Sequence, residues 1–108
     1  MKRVATERQT RKIAEFKDVL ILEGHVTLAA QAVALGLGRS TTWTVLRANH
    51  KASGLSASVV ARILKAPQLP CSVREKVIEY VEEKRAGSYG HNERQIKRFV
   101  AGLNLVQN

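Results

Sequence analysis

The sequence contains one cysteine, two prolines and few aromatic residues. Cys71 has no second thiol, so an internal disulfide and a cysteine-based zinc site are both excluded, and a reducing cytoplasm fits. With only two prolines among 108 residues, helices are permitted over most of the chain. Aromatic residues make up 5% of the chain, which disfavours a platform that stacks single-stranded bases, as in much RNA recognition.

Long apolar runs are also missing. The longest apolar region, near Val26–Leu37, carries Thr27 and Gln31 and is too short to span a bilayer. The basic amino terminus, MKRVATERQTRK, lacks the apolar stretch that follows in a signal peptide. We therefore expect a soluble, cytoplasmic protein with no membrane partner.

Acidic residues are absent between Glu23 and Glu75, although the whole chain contains 9 of them. The same interval holds six basic residues: Arg39, Arg47, Lys51, Arg62, Lys65 and Arg74. The formal net charge is +9, which favours a polyanionic partner, nucleic acid first and an anionic membrane second. A surface that approaches phosphates gains by excluding carboxylates, although chance in a basic protein could produce the same gap.

The apolar residues recur at spacings of three and four, and no stretch alternates for long enough to predict a strand. The predicted fold is all-α, a compact bundle of about six helices in a single domain over residues 1–108. The first helix is predicted at about Val4–Glu23. Two more helices are predicted within a helix-turn-helix at about 27–49. Three further helices are predicted at about 56–66, 72–85 and 92–105.

Capping signals mark several of these boundaries. The residues predicted to cap helices are Thr27, Ser56, the pair Ser72 and Glu75, and the pair Asn92 and Gln95. Gly24 is predicted to end the first helix. The segment Gly87–Gly90 is predicted to form a turn that packs Tyr89 onto the core.

The stretch LGLGRSTTWTVL, residues 35–46, has the spacing of a helix-turn-helix. Ala32 is a small residue where a second helix would cross, Gly36 would leave the first helix in a left-handed conformation, and Leu37 would pin the turn. Helices near Leu28–Leu35 and Ser40–Asn49 are therefore predicted, with a sharp turn at Gly36–Gly38. Tight helix corners in proteins that do not bind DNA use the same short pattern.

Over Leu28–Arg47 the chain resembles the LG-V-SRSTVYR-L pattern of bacterial and phage helix-turn-helix regulators. It departs from that pattern at Gln31, Gly38 and Thr42, and Thr42 takes a position normally held by Val or Ile. The resemblance implies sequence-specific binding of double-stranded DNA and a role as a small transcriptional regulator.

A second segment, Gly54–Glu83, is similar to part of the lactose-repressor family, in which a helix led by serine enters the major groove. His50 stands where that family's pattern has an alanine, so the upstream motif is the preferred groove reader. Which of the two helices, 40–49 or 56–65, reads the groove stays open.

The residues predicted to contact DNA are Arg39, Ser40, Trp43, Thr44, Arg47, Lys51, Arg62 and Lys65. Residues at the amino end of a groove-reading helix reach base edges, and loop lysines reach phosphates. A lone Trp in a small helical domain is as often a core residue, so Trp43 has both interpretations.

Two other classes of function are also considered. The last two helices could form a protein-interaction or adaptor module, and the basic charge permits an RNA-associated protein. No catalytic residues, metal ligands, cofactor or small-molecule ligand are predicted, because the three histidines are scattered and lack partners at ligand spacing. Binding as a homodimer is expected, with the final helix, ending GLNLVQN, as its predicted seam.

Overall fold

Six α-helices make up the part of the chain that the structure describes. Their bounds are α1 Glu7–Leu22, α2 Leu28–Leu35, α3 Arg39–Leu46, α4 Ala57–Lys65, α5 Cys71–Arg85 and α6 Glu93–Gln107. The structure, a computed structural model, describes residues 6–47 and 50–107, with side chains through residue 104. No β-strand occurs in those residues, and the predicted all-α class is confirmed.

Local capping chemistry sets most of the helix starts. The side chains of Thr27 and Ser56 accept hydrogen bonds from the backbone N–H groups three residues later, as predicted. Asn92 and Gln95 form a reciprocal capping box, in which each side-chain oxygen accepts from the other residue's N–H at 2.9 Å. Each cap satisfies backbone donors that have no partner within the helix.

Three predicted boundaries are wrong. Thr6 caps α1, so the helix begins at Glu7 and not at Val4, a residue outside the described part of the chain. Gly38 is the N-cap of α3, so that helix begins one residue early; it ends at Leu46, short of the predicted Asn49, which also lies outside the described residues.

The predicted capping box at Ser72 and Glu75 is also wrong, because α5 starts earlier. Pro70 is the N-cap, and its carbonyl accepts from the N–H groups of Val73 and Arg74. The Ser72 hydroxyl lies inside the helix and donates to the Glu23 carboxylate at 3.0 Å. Proline suits a helix start because its φ is already helical and it has no N–H to leave unpaired.

One apolar core joins the six helices. Helix α1 packs on α5 and α3, α4 packs on α6, α2 and α5, and α2 packs on α3. Tyr80 lies fully buried between Phe16 and Tyr89, with ring centroids 6.1 and 5.3 Å away. The radius of gyration of 13.2 Å matches a compact body of about 100 residues.

Ion pairs line the contact between α1 and α5. Lys12 donates to Glu79 at 2.7 Å, Lys76 lies 3.1 Å from Glu15, and Arg8 lies 3.2 Å from Glu83. The hydrogen bond from Lys12 lowers the pKa of Glu79. Several of the acidic side chains are thus paired along this seam, on elements that flank the acid-free interval of the sequence.

Candidate nucleic-acid interface

Helices α2 and α3 are joined by a three-residue turn, and we call α2, this turn and α3 the α2–α3 corner. Gly36 has φ 67° and ψ 30°, a left-handed conformation that glycine adopts without steric cost. The Leu37 N–H donates to the Ala32 carbonyl at 3.1 Å, and Leu37 is buried. The predicted turn at Gly36–Gly38 is confirmed in its position and backbone geometry.

A second constraint acts at Gly36. A Cβ atom at this position would lie 2.9 Å from the Cβ of Ala66, closer than carbon atoms normally approach. The end of α4 therefore packs directly against the turn. The Arg62 carbonyl oxygen lies 3.7 Å from the position that a Cβ on Gly36 would take. This contact places the last turn of α4 beside the α2–α3 corner.

Helix α3 has one buried side and one exposed side. Thr42, Val45 and Leu46 are buried against the core. The exposed side chains are Arg39, Ser40, Trp43, Thr44 and, at the C-cap, Arg47; these are all five of the residues predicted on the third helix.

Trp43 does not belong to the core, because 54% of its surface is exposed. The Arg47 guanidinium lies 4.6 Å from the centre of the indole ring, one helical turn away. This contact orders both side chains at the surface by a cation–π interaction. The alternative that Trp43 fills the core is wrong.

The other three predicted residues lie outside α3. Lys51 is exposed in the loop between α3 and α4, and Arg62 and Lys65 are exposed in the last turn of α4. Among the described residues no salt bridge involves Arg39, Arg47, Lys51 or Arg62. These four cations therefore keep a charge that no carboxylate of the described residues neutralises, unlike the cations at the α1–α5 seam.

The segment 52–55, which we call the clamped loop, is tied to α1 and to the turn before α6. The Ala52 carbonyl accepts from Gln9 Nε2 at 3.2 Å and from His91 Nε2 at 2.7 Å. Gln9 is fully buried, although the sequence analysis did not identify it. Gln9 lies one helical turn before Ile13, in line with the apolar stripe of α1 formed by Ile13, Phe16 and Leu20, and this spacing is the sequence signal that could have identified it.

Two α5 side chains hold the other half of the clamped loop. The Tyr80 hydroxyl accepts from the Leu55 N–H at 3.0 Å and donates to Gln9 Oε1 at 2.7 Å. Lys84 Nζ donates to the carbonyls of Ser53 and Leu55 at 2.6 and 3.0 Å. These bonds fix the end of the α3–α4 connection that leads into α4.

Burial of Lys84 has an electrostatic consequence. Only 5% of the residue is exposed, and desolvation lowers the pKa of its ammonium to about 8. Burial also raises the pKa of Tyr80. Lys84 was missed by the sequence analysis, although it continues the buried positions Val73, Val77 and Tyr80 of α5.

The free energy of unfolding should rise between pH 8 and pH 10. In that range the unfolded chain keeps the Lys84 proton, with a pKa near 10.5, while the folded chain releases it, so raising the pH favours folding. We expect a gain on the order of 1–2 kcal/mol, measured by urea unfolding at several pH values.

Lys84→Met should remove this rise, and Lys97→Met, on the exposed side of α6, should keep it. An equal pH dependence in wild type and Lys84→Met would contradict the assignment to Lys84. Above pH 10 the trend should reverse, because the raised pKa values of buried Tyr80 and Tyr89 favour unfolding when tyrosines ionise.

No family model, curated protein or solved structure matches this chain. None of the described helices combines the length and apolar character needed to cross a bilayer. The described residues also include no group of three or more His, Cys, Asp or Glu side chains placed to hold a metal ion. A functional assignment therefore rests on the side chains described above.

Proposed function

We propose that this chain binds double-stranded DNA in a sequence-specific manner, with α3 in the major groove, as a small transcriptional regulator. The observation that carries the proposal is the exposed side of α3. It presents two arginines, two hydroxyls and an indole, and among the described residues no ion pair neutralises either arginine.

The chemistry of α3 suits base edges. An arginine can donate two parallel hydrogen bonds to O6 and N7 of guanine, so Arg39 and Arg47 are the proposed base readers. The Thr44 hydroxyl donates to the Ser40 carbonyl at 3.1 Å, and its lone pairs stay available to a base amino group. Trp43, held by Arg47, offers an apolar surface to a thymine methyl group.

The remaining cations suit the phosphate backbone. Lys51 lies in the connection after α3, directly before the clamped loop. Arg62 and Lys65 lie in the last turn of α4. Phosphate contacts position a protein on the duplex without reading sequence. Because one helix of this size covers few base pairs, we propose that two copies bind paired half-sites.

A second candidate function is a protein-interaction module, which the exposed apolar side chains favour. Leu22, Val26 and Val33 are 84%, 65% and 57% exposed; Leu22 ends α1, Val26 lies in the connection between α1 and α2, and Val33 lies on α2. Contiguous apolar surface on a small protein often marks a contact with another protein. The same side chains offer a dimer seam different from the one predicted at the end of α6.

Single-residue variants separate base contacts from phosphate contacts. Arg39→Ala or Arg47→Ala should weaken binding to a selected duplex site by about 1–3 kcal/mol and relax its sequence preference. Lys51→Ala should weaken binding to all duplexes about equally and reduce the slope of log affinity against log salt by about one. The measurement is a binding titration with selected and scrambled duplexes across a salt series.

Arg94→Ala is the matched control, because it removes one exposed arginine from α6, outside the proposed interface. It should leave the preference for the selected site intact. Equal losses on selected and scrambled duplexes would make Arg39 or Arg47 a phosphate contact. No binding of the wild-type chain to any duplex at low salt would reject the proposal and favour the interaction module.

A further inference from the structure

A cleft of about 450 Å³ lies between the clamped loop, the start of α4, α5 and α6. Its apolar lining includes Leu55, Ala57 and Phe99, and none of the described residues that line it is acidic. The volume falls within the range of about 300–1,000 Å³ that is usual for small-molecule sites. None of the residues that line the cleft belongs to the α3 surface proposed to read DNA.

The floor of the cleft carries an uncompensated charge. Lys84 lines it, is 95% removed from solvent, and forms no salt bridge with a carboxylate among the described residues. Its ammonium has two carbonyl partners and lies 4.2 Å from the centre of the Phe99 ring. A buried cation without a counter-ion is costly, and a bound anion would offset that cost.

Other polar groups around the cleft also suit an anion. The exposed side chain of Arg98 lies at the rim of the cleft. Gln95, one helical turn before Arg98 on α6, supplies an amide donor. His91 lines the same cleft, and its buried Nδ1 has no hydrogen-bond partner within the described chain; because Nε2 donates to the Ala52 carbonyl, Nδ1 donates to an anion only when the ring is an imidazolium. Basic and neutral donors thus share the cleft with an apolar wall.

We propose that this cleft binds a small organic carboxylate, with its carboxylate group against Lys84 and Arg98 and its apolar body against Leu55 and Phe99. The charge of Lys84 selects an anion, and the apolar wall selects against a bare inorganic ion. Such a ligand is not predictable from the sequence, because Lys84 lines the cleft only in the folded chain. The proposal does not depend on DNA binding.

Calorimetric titration of the full chain with phenylacetate, benzoate and octanoate tests the proposal, with phenylacetamide and sulfate as uncharged and inorganic comparisons. At least one of the three carboxylates should bind saturably and raise the thermal unfolding midpoint. Phenylacetamide and sulfate should each bind at least about tenfold more weakly, since each lacks one of the two contacts.

Arg98→Gln should weaken binding of the carboxylate by about tenfold. It should not disturb the fold, because Arg98 is exposed. Lys84→Met should weaken it at least as much, with folding checked by circular dichroism. Arg94→Gln, which removes an equal charge from the same helix away from the cleft, should bind like wild type.

Failure of all three carboxylates to bind, or equal binding by wild type and Arg98→Gln, would overturn the proposal. Sulfate binding as tightly as the carboxylates would overturn it as well. A duplex that binds without any carboxylate binding, and whose affinity falls in Arg98→Gln, would assign the cleft to a DNA phosphate instead.

Discussion

Gly36→Val should destabilise the protein by about 2–5 kcal/mol. A β-branched residue in the left-handed region costs on the order of 1–2 kcal/mol. The added side chain must also displace Ala66, because even a Cβ would lie 2.9 Å from the Ala66 Cβ, and overpacking of this kind costs about 1–3 kcal/mol. Urea unfolding of wild type and variant measures the difference.

Gly38→Val is the matched control in the same turn. Gly38 has φ −68°, which any residue adopts, and a Cβ there would meet nothing within 4 Å. Gly38→Val should lower the free energy of unfolding by about 1 kcal/mol or less, the cost of a poor N-cap residue. If the two variants were equally stable, the left-handed turn and its contact with α4 would not be what stabilises the corner.

Gly54→Ala should have an effect of similar size through the clamped loop. A Cβ on Gly54 would overlap the side-chain oxygens of Gln9 and Tyr80, which are hydrogen-bonded to each other at 2.7 Å. The methyl group would have to break this bond and leave the buried Gln9 Oε1 unpaired, at a cost of about 1–3 kcal/mol. With about 1–2 kcal/mol of backbone strain at φ 66°, we expect a total loss of about 2–5 kcal/mol.

Gly90→Ala separates strain from packing, because Gly90 has φ 87° and a Cβ there would meet nothing within 4 Å. It should lose only about 1–2 kcal/mol. The melting temperatures of the two alanine variants, measured at one pH, give the comparison. Similar losses would mean that the Gln9–Tyr80 contact contributes little.

Much of the fold could be predicted because its signals are local. The apolar stripe of α1, the caps at Thr27 and Ser56 and the left-handed glycine at residue 36 depend on neighbours within one or two turns. Each was predicted correctly. The predicted cap at Ser72 was wrong because two local signals competed, and Pro70, with its preset φ, started the helix first.

The candidate site was predictable only in part. Helical periodicity separated the exposed side of α3 from its buried side, so all five residues predicted there lie at the surface. It could not decide between core and surface for Trp43, since a large amphipathic ring is stable in both settings. DNA binding itself stays a prediction, which the salt titration tests.

The sequence by itself determined the helix order, the acid-free interval and the turn at Gly36–Gly38, because periodicity, charge and capping act over a few residues. Only the tertiary structure decided that Gln9 and Lys84 are buried. Their partners, the carbonyls of Ala52 and Ser53, lie 43 and 31 residues away along the chain. A polar side chain is stable in a core only where such distant groups meet it, and that meeting also forms the cleft around Lys84.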